Sequence, residues 1–106
     1  MSDNIIIPRR EVWLFAIEME KKLLQNDYKS HWSGSDFRYL FNRMNEEISE
    51  LSDTVDFIND NGKGYQTMLE AVDVANFSMM IWDNARHRRN SVPSIACPSS
   101  ESDSSE

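Results

Sequence analysis

Apolar residues recur every three or four positions along three stretches of this chain, and this spacing predicts three α-helices. The first stretch covers about residues 8–27. The second begins after an N-cap at Ser35 or Asp36 and runs to about residue 59. The third begins at residue 66 or 67 and runs to about residue 88. No stretch shows the alternation typical of a strand, so the predicted fold class is all-α.

The third stretch differs from the other two because it is apolar almost all round between Val72 and Trp82. A helix with one wetted side would not have this pattern, so we expect it to be buried centrally or shared with another subunit. Three helices make a thin bundle for so many apolar residues. We therefore expect a helical bundle whose core is completed by homo-oligomerisation, as a dimer or tetramer.

The composition changes at residue 90, where the predicted helical domain (1–89) ends. Residues 90–106 contain seven serines, two prolines and three acidic residues, and their apolar content is low. Such a segment cannot bury enough apolar surface to fold, so we predict a disordered, solubilising tail.

The whole chain carries 18 acidic and 11 basic residues, which gives a formal charge of −7. This balance argues against nucleic acid or an anionic membrane as partner. The apolar runs are too short to span a bilayer, and the start of the chain does not resemble a secretion signal. The single cysteine, Cys97, cannot form an intrachain disulfide. These features favour a cytoplasmic protein.

Four carboxylates stand out because of the side of the helix from which they project. Glu47 and Glu50 are three residues apart on the second helix, and Glu70 and Asp73 have the same spacing on the third. Glu47 interrupts an apolar line of the second helix, and the other pair lies on apolar lines of the third. A short turn would make the two helices antiparallel neighbours and bring the four carboxylates together.

Burying like charges together is unfavourable unless a cation compensates them. No lysine or arginine is expected on these apolar lines, so a divalent metal ion is the natural partner. A set of oxygen ligands without His or Cys suits Mg²⁺, for which Mn²⁺ can substitute, better than Zn²⁺. Because Mg²⁺ commonly completes its coordination with substrate phosphates, such a site predicts a nucleotide substrate.

The spacing of these acids resembles a known signature. Glu46, Glu47 and Glu50 are followed, after nineteen residues, by Glu70 and Asp73. This matches the E-E-x-x-E … E-x-x-D pattern of the MazG-like, all-α nucleoside triphosphate pyrophosphohydrolases. Residues 70–81 and 19–26, with Lys29 and Trp32, also resemble phage-type members. The resemblance covers about residues 12–83. If the chain is phage-encoded, the resemblance implies that it acts in the host cytoplasm.

The resemblance implies hydrolysis of a nucleoside triphosphate to the monophosphate and pyrophosphate, with purine deoxynucleotides (dGTP or dATP) as the expected substrates. It implies that Glu47, Glu50, Glu70 and Asp73 hold the metal, and that Glu46 and Glu47 are the catalytic residues. Glu46 points about 100° away from Glu47 on the helix. It would accept a proton from the attacking water, help to hold a second ion, or face solvent.

Four further residues are candidates for substrate binding, and each has a structural alternative. Trp32 either stacks on the base or closes the end of the bundle, and Lys29 either meets a phosphate or is simply exposed. Asn76 either binds substrate or makes an interhelical hydrogen bond. Lys22 is either a phosphate ligand or a surface lysine.

Other functions remain open from the sequence. One is a related pyrophosphatase acting on dUTP or phosphoribosyl-ATP. Another is a non-enzymatic acidic helical protein that binds a partner through a dispersed acidic surface. A calcium sensor is disfavoured because no loop has the acidic positions 1, 3 and 5 followed by glycine at 6.

Overall fold

The computed structural model describes residues 5–26, 31–60 and 64–91. They form three helices, α1 (Arg10–Gln25), α2 (Phe37–Asp60) and α3 (Tyr65–Ser91). Within these residues there is no strand, so the predicted all-α class is confirmed. None of the described helices combines the length and the apolar content needed to cross a membrane.

The helix ends differ slightly from the predicted ones. Helix α1 begins at Arg10, so Pro8 precedes the helix instead of lying in its first turn. Asp36 caps α2 as predicted, because its Oδ2 accepts a hydrogen bond of 3.0 Å from the backbone N–H of Tyr39. Helix α3 continues to Ser91, beyond the predicted domain end at residue 89. The rest of the predicted tail lies outside the described residues.

Helix α3 is the centre of the molecule. Both α1 and α2 pack against α3, and within the described residues they do not pack against each other. This arrangement explains why α3 is apolar almost all round, since it must cover two neighbours. Of the two alternatives for the third helix, the structure shows the central position, and its sharing with another subunit stays a prediction.

The two outer helices both run antiparallel to α3. On one side, the guanidinium of Arg43 lies over the ring of Phe77, 5.0 Å from its centroid. On the other side, the Nδ2 of Asn76 donates a hydrogen bond of 3.3 Å to the backbone carbonyl of Met19. These contacts, made by residues in the middle of α3, fix the positions of α1 and α2 along the axis of α3.

The core enclosed by one copy of the chain is small. Among the described residues, Leu40 and Val72 are the buried apolar side chains. Helix α1 contains no buried residue, and Val12, Trp13 and Leu24 are 57%, 58% and 56% exposed. Burial of such side chains stabilises a fold by about 1.5–3 kcal/mol each, so much of the stabilisation available to this sequence is unused in a single copy.

The segment before α2 is held against the far end of α3 by one buried side chain. The Nδ2 of Asn84 donates to the backbone carbonyls of Trp32 (3.0 Å) and Ser35 (3.5 Å), and its Oδ1 accepts from the N–H of Gly34 (3.3 Å). Gly34 has a φ of 79°, a conformation that glycine adopts without strain. Residues 31–36 therefore form a fixed connection near the helix bundle.

Candidate metal site between the second and third helices

Three carboxylates from two helices meet where α2 and α3 face each other. One oxygen of Glu47 on α2 and one oxygen each of Glu70 and Asp73 on α3 all lie within 4.8 Å of one another. Glu47 and Glu70 are each only 9% exposed. The sequence places them together because Glu47 lies on the apolar line of α2 that packs against α3. We call these three residues the carboxylate cluster.

The cluster contains a carboxylate oxygen that lacks a hydrogen-bond partner. The Oε2 of Glu70 accepts a hydrogen bond of 3.0 Å from the Nε2 of Gln66, one turn earlier on α3. The Oε1 of Glu70 is buried and has no partner. A buried acceptor left unpaired costs about 1–3 kcal/mol, and more when it is charged. The cluster therefore contains a buried acceptor that could bind a cation.

Burial and the neighbouring negative charges both disfavour ionisation of the carboxyl groups in this region. Burial raises the pKa of Glu47, and the negative charges of Glu50 and Asp73 raise it further. The pKa of Glu50 is raised chiefly by the charge on Glu70. Two ionised carboxylates at 4.8 Å repel each other by about 3 kcal/mol at an effective dielectric constant of about 20. A bound cation would remove this repulsion.

Glu50 lies beside the cluster and is exposed. Its side chain is close enough to Glu70 for a hydrogen bond between their carboxyl groups when one of them is protonated. It is not among the three residues whose oxygens converge within 4.8 Å. The structure therefore brings three of the four predicted metal ligands into one group and leaves Glu50 at its rim.

The expectation that no protein cation reaches these acids is wrong. The Nη2 of Arg43 lies 3.4 Å from an oxygen of Glu47, and the Nζ of Lys22 lies 3.5 Å from the Oδ1 of Asp73. Arg43 precedes Glu47 by one helical turn, so its long side chain reaches along α2 to the carboxylate. Lys22 approaches from α1, whose position beside α3 is a tertiary feature. These cations offset part of the negative charge but leave the Oε1 of Glu70 unpaired.

Glu46 stands apart from the cluster. Its side chain is 63% exposed, and its carboxylate is hydrogen-bonded to the Nη1 of Arg43. Arg43 thus contacts both Glu46 and Glu47 along α2. In this structure Glu46 faces solvent and holds Arg43, and its part in proton transfer or in holding a second ion stays a prediction.

Asn76 makes the interhelical hydrogen bond that was one of its two alternatives. Its Nδ2 donates to the carbonyl of Met19, whereas its Oδ1 is buried without a partner. Because Asn76 follows Asp73 by three residues, this second unpaired acceptor lies on the same side of α3 as the cluster.

Trp32 lies beside the groove between α1 and α3, at the end of the groove that is further from Asp73. Its Nε1 donates a hydrogen bond of 3.0 Å to the Oδ2 of Asp83, and its ring stacks on His31 with the centroids 4.0 Å apart. Trp32 also lines a cleft of about 310 Å³ beside α1. Lys29 lies outside the described residues.

A larger cleft of about 530 Å³ is found near the beginning of α3. Phe57 and Tyr65 line it together with Gln66, the residue that donates to Glu70. We assign no ligand to this cleft.

Several residues of this region were not identified from the sequence. Arg43 and Gln66 precede Glu47 and Glu70 by one turn, so the i, i+4 spacing could have indicated both. Asp83 and Asn84 carried no such signal, because their partners in residues 32–35 are about 50 positions away along the chain. Only the packing of α3 against that segment brings them together.

Comparisons with protein-family models, with curated proteins and with solved structures found no match for this chain.

Proposed function

We propose that this chain is a Mg²⁺-dependent nucleoside triphosphate pyrophosphohydrolase that converts a deoxynucleoside triphosphate and water into the monophosphate and pyrophosphate. One observation carries the proposal. A buried carboxylate oxygen, the Oε1 of Glu70, has no partner and belongs to a group of three carboxylates that converge from two helices. The resemblance of the motif around these acids to the MazG-like family supplies the reaction.

The residues present fit a hard divalent ion. Glu47, Glu70 and Asp73 offer oxygen ligands only, which are the ligands that Mg²⁺ and Mn²⁺ prefer. Three protein ligands would leave positions for water and for substrate phosphates. Bound there, Mg²⁺ would neutralise phosphate charge and polarise the α–β linkage for attack by water.

The chain's own residues would supply binding and proton transfer. Lys22 lies beside Asp73 with a side chain that is 39% exposed, so its ammonium group is placed to meet a phosphate that enters the groove. Glu50, at the rim, has a raised pKa because of the charge on Glu70, and a raised pKa makes a carboxylate a stronger acceptor for a proton from water. We therefore favour Glu50 over Glu46 as the residue that activates water, since Glu46 holds Arg43.

The clustered acids also bear on the non-enzymatic alternative. A protein that used acidic side chains only as a recognition surface would gain most from dispersed, exposed carboxylates. Two members of the cluster are instead 9% exposed. This arrangement favours an ion-binding role over a dispersed recognition surface.

The test is to incubate the purified chain with each dNTP and NTP, and with dUTP and phosphoribosyl-ATP, in the presence of Mg²⁺ or Mn²⁺. Ion-exchange chromatography would resolve pyrophosphate from orthophosphate. We expect the monophosphate and pyrophosphate in equal amounts, and no product with a chelator. Orthophosphate as the first product, or turnover that persists in Glu70→Gln, would contradict the proposal.

A further inference from the structure

The cleft beside α1 combines apolar walls with an aromatic platform and two acids. Its apolar lining comes from three α1 residues and one α3 residue: Ala16, Met19, Leu23 and Met79. Trp32 closes one side, and the acidic lining residues are Glu20 and Asp83. A cleft of about 310 Å³ is at the small end of the range that holds small ligands. Apolar walls with an aromatic ring and a few polar groups suit a heterocyclic ligand.

Trp32 is fixed from three directions, as a preformed binding wall requires. Its indole N–H is bonded to Asp83, its backbone carbonyl to the buried side chain of Asn84, and its ring is stacked on His31. Holding an aromatic ring in place before binding lowers the entropic cost of stacking a ligand on it. Stacking of a base on such a ring contributes about 1–3 kcal/mol and is tolerant of base identity.

Along the axis of α3, the cleft and the carboxylate cluster are separated by about the length of a nucleoside. Met79 is six residues after Asp73 on α3, which corresponds to about 9 Å along the helix axis. Between them, Asn76 is bonded to Met19, another residue of the cleft wall. A nucleotide whose phosphates lie at the cluster and at Lys22 would therefore place its base in this cleft.

Glu20 is the cleft acid that is free to bind a ligand. Asp83 already accepts hydrogen bonds from Trp32 and Arg86, whereas Glu20 is exposed and has no hydrogen bond or ion pair with the described part of the chain. An ionised carboxylate only accepts hydrogen bonds. The carboxylate of Glu20 therefore favours a ligand with two adjacent hydrogen-bond donors on one edge.

We infer that this cleft binds the base of the substrate and that Glu20 selects guanine. The N1–H and 2-amino groups of guanine offer two adjacent donors to one carboxylate. Adenine and cytosine place a ring-nitrogen acceptor beside their amino group, and thymine flanks its N3–H with two carbonyls, so each meets the carboxylate with at least one repulsive contact. The inference rests on the proposed function, because it names the substrate of that same reaction.

The test compares dGTP and dATP hydrolysis by the full chain and by Glu20→Gln. A glutamine amide has one acceptor atom and one donor group, which match N1 and the 6-amino group of adenine, but it cannot accept from both N1–H and the 2-amino group of guanine as a carboxylate can. We expect the wild type to prefer dGTP, and the substitution to lower kcat/KM for dGTP by about 10- to 100-fold, the effect of one hydrogen bond to a charged group. The rate with dATP should hold or rise, so that the preference inverts.

The matched control is Glu18→Gln, which removes the same charge from the other side of α1, where Glu18 pairs with Lys21. It should leave the ratio of dGTP to dATP rates within about twofold, the scale of a surface ion pair. Circular dichroism of each variant checks that α1 is intact. A dGTP preference that survives Glu20→Gln, or that falls equally in both variants, would overturn the assignment of Glu20.

Equilibrium dialysis with dGMP and dAMP separates this inference from the reaction on which it rests. Glu20-dependent binding of dGMP by a chain that releases no pyrophosphate would overturn the proposed reaction alone. Equal binding of dGMP and dAMP by a chain that does hydrolyse nucleotides would overturn the guanine assignment alone.

The stacking role of Trp32 is tested separately. Trp32→Leu should raise KM about tenfold or more for every base, whereas Trp32→Phe, which keeps an aromatic face, should restore most of the binding.

Discussion

The ammonium group of Lys22 on α1 lies 3.5 Å from the carboxylate of Asp73 on α3, which makes the first helix a contributor to a site otherwise built by α2 and α3. This contact places a cation where a metal ion or a substrate phosphate would also interact. Lys22 must therefore either share Asp73 with a bound ion or turn towards the phosphates when the ion arrives. These alternatives give the first prediction.

Lys22→Gln should separate metal affinity from substrate affinity. Without the ammonium group of Lys22 beside it, Asp73 keeps its full negative charge, so the affinity of the site for Mn²⁺ should stay the same or rise. KM for the triphosphate should rise about 10-fold, because one phosphate contact is lost. Mn²⁺ titration by electron paramagnetic resonance and steady-state kinetics measure the two quantities. Lys21→Gln, which loses only an exposed pair with Glu18, is the control, and a fall in Mn²⁺ affinity specific to Lys22→Gln would contradict this role.

Neutralising one member of the carboxylate cluster should abolish turnover without unfolding the protein. For Glu47→Gln and Asp73→Asn we expect kcat to fall by about 100-fold or more, as when a group that stabilises transition-state charge is removed. The metal-free proteins should be at least as stable as the wild type, because like charges no longer repel each other. Glu70→Gln should show this gain most clearly, since it removes the charge of an unpaired buried carboxylate. Thermal melts in a chelator check stability, and a lower melting temperature in all three variants would contradict the electrostatic account.

The metal-free protein should lose stability as the pH rises above about 4.5. The pKa values of Glu47 and Glu50 are raised above their ordinary value of 4.5 in the folded chain. The proton is therefore held more tightly in the folded state than in the unfolded state. The associated stability is complete below 4.5 and is lost as the pH rises through the raised pKa values. Mg²⁺ should oppose the loss, because the ion binds the ionised form.

Thermal melts between pH 4 and 8, with chelator and with Mg²⁺, measure this dependence. The double substitution Glu47→Gln/Glu50→Gln removes both titrating groups and should flatten the metal-free profile relative to the wild type. An unchanged difference between the wild type and the double variant across this range would exclude these two carboxyl groups as the cause.

Asn84→Ala should loosen the segment that carries Trp32. The substitution leaves the N–H of Gly34 and the carbonyl of Trp32 without their partner, and the expected loss in the free energy of unfolding is about 1–3 kcal/mol. Denaturant titration measures the loss. Asn90→Ala, at an exposed position of the same helix, should change stability by less than about 0.5 kcal/mol, and equal effects of the two substitutions would contradict the anchoring role.

The exposed apolar side of α1 predicts that copies of the chain associate. Trp13 and Ile17 lie one turn apart in the first half of α1 and are 58% and 40% exposed, and a second copy would bury them. Sedimentation should give a dimer or a larger oligomer for the wild type, and Trp13→Glu should shift the distribution towards the monomer. The control Glu11→Gln, also exposed on α1, should leave it unchanged. A wild type that sediments as a monomer at high concentration would exclude the predicted oligomer.

Local features of this protein could be predicted from the sequence because they depend on neighbours along the chain. The three helices follow from apolar spacing, and the cap at Asp36 follows from its short acceptor side chain before a helical pattern. The meeting of Glu47 with Glu70 and Asp73 was also predictable. Because only four residues separate α2 from α3, the two helices are expected to be antiparallel neighbours, and the apolar lines then determine which side chains face each other.

The features that only the tertiary structure decided involve contacts between distant parts of the chain. The approach of Lys22 to Asp73 depends on where α1 lies against α3. A periodic pattern shows which face of a helix is apolar, but it does not show which helix packs against that face. The bonds from Asp83 and Asn84 to Trp32 join residues about 50 positions apart, so no local spacing encodes them. Sequence periodicity thus determined which face of each helix is apolar, whereas the packing of α1 and the Trp32 segment on α3 decided which side chains meet, because packing depends on shape complementarity over the whole bundle.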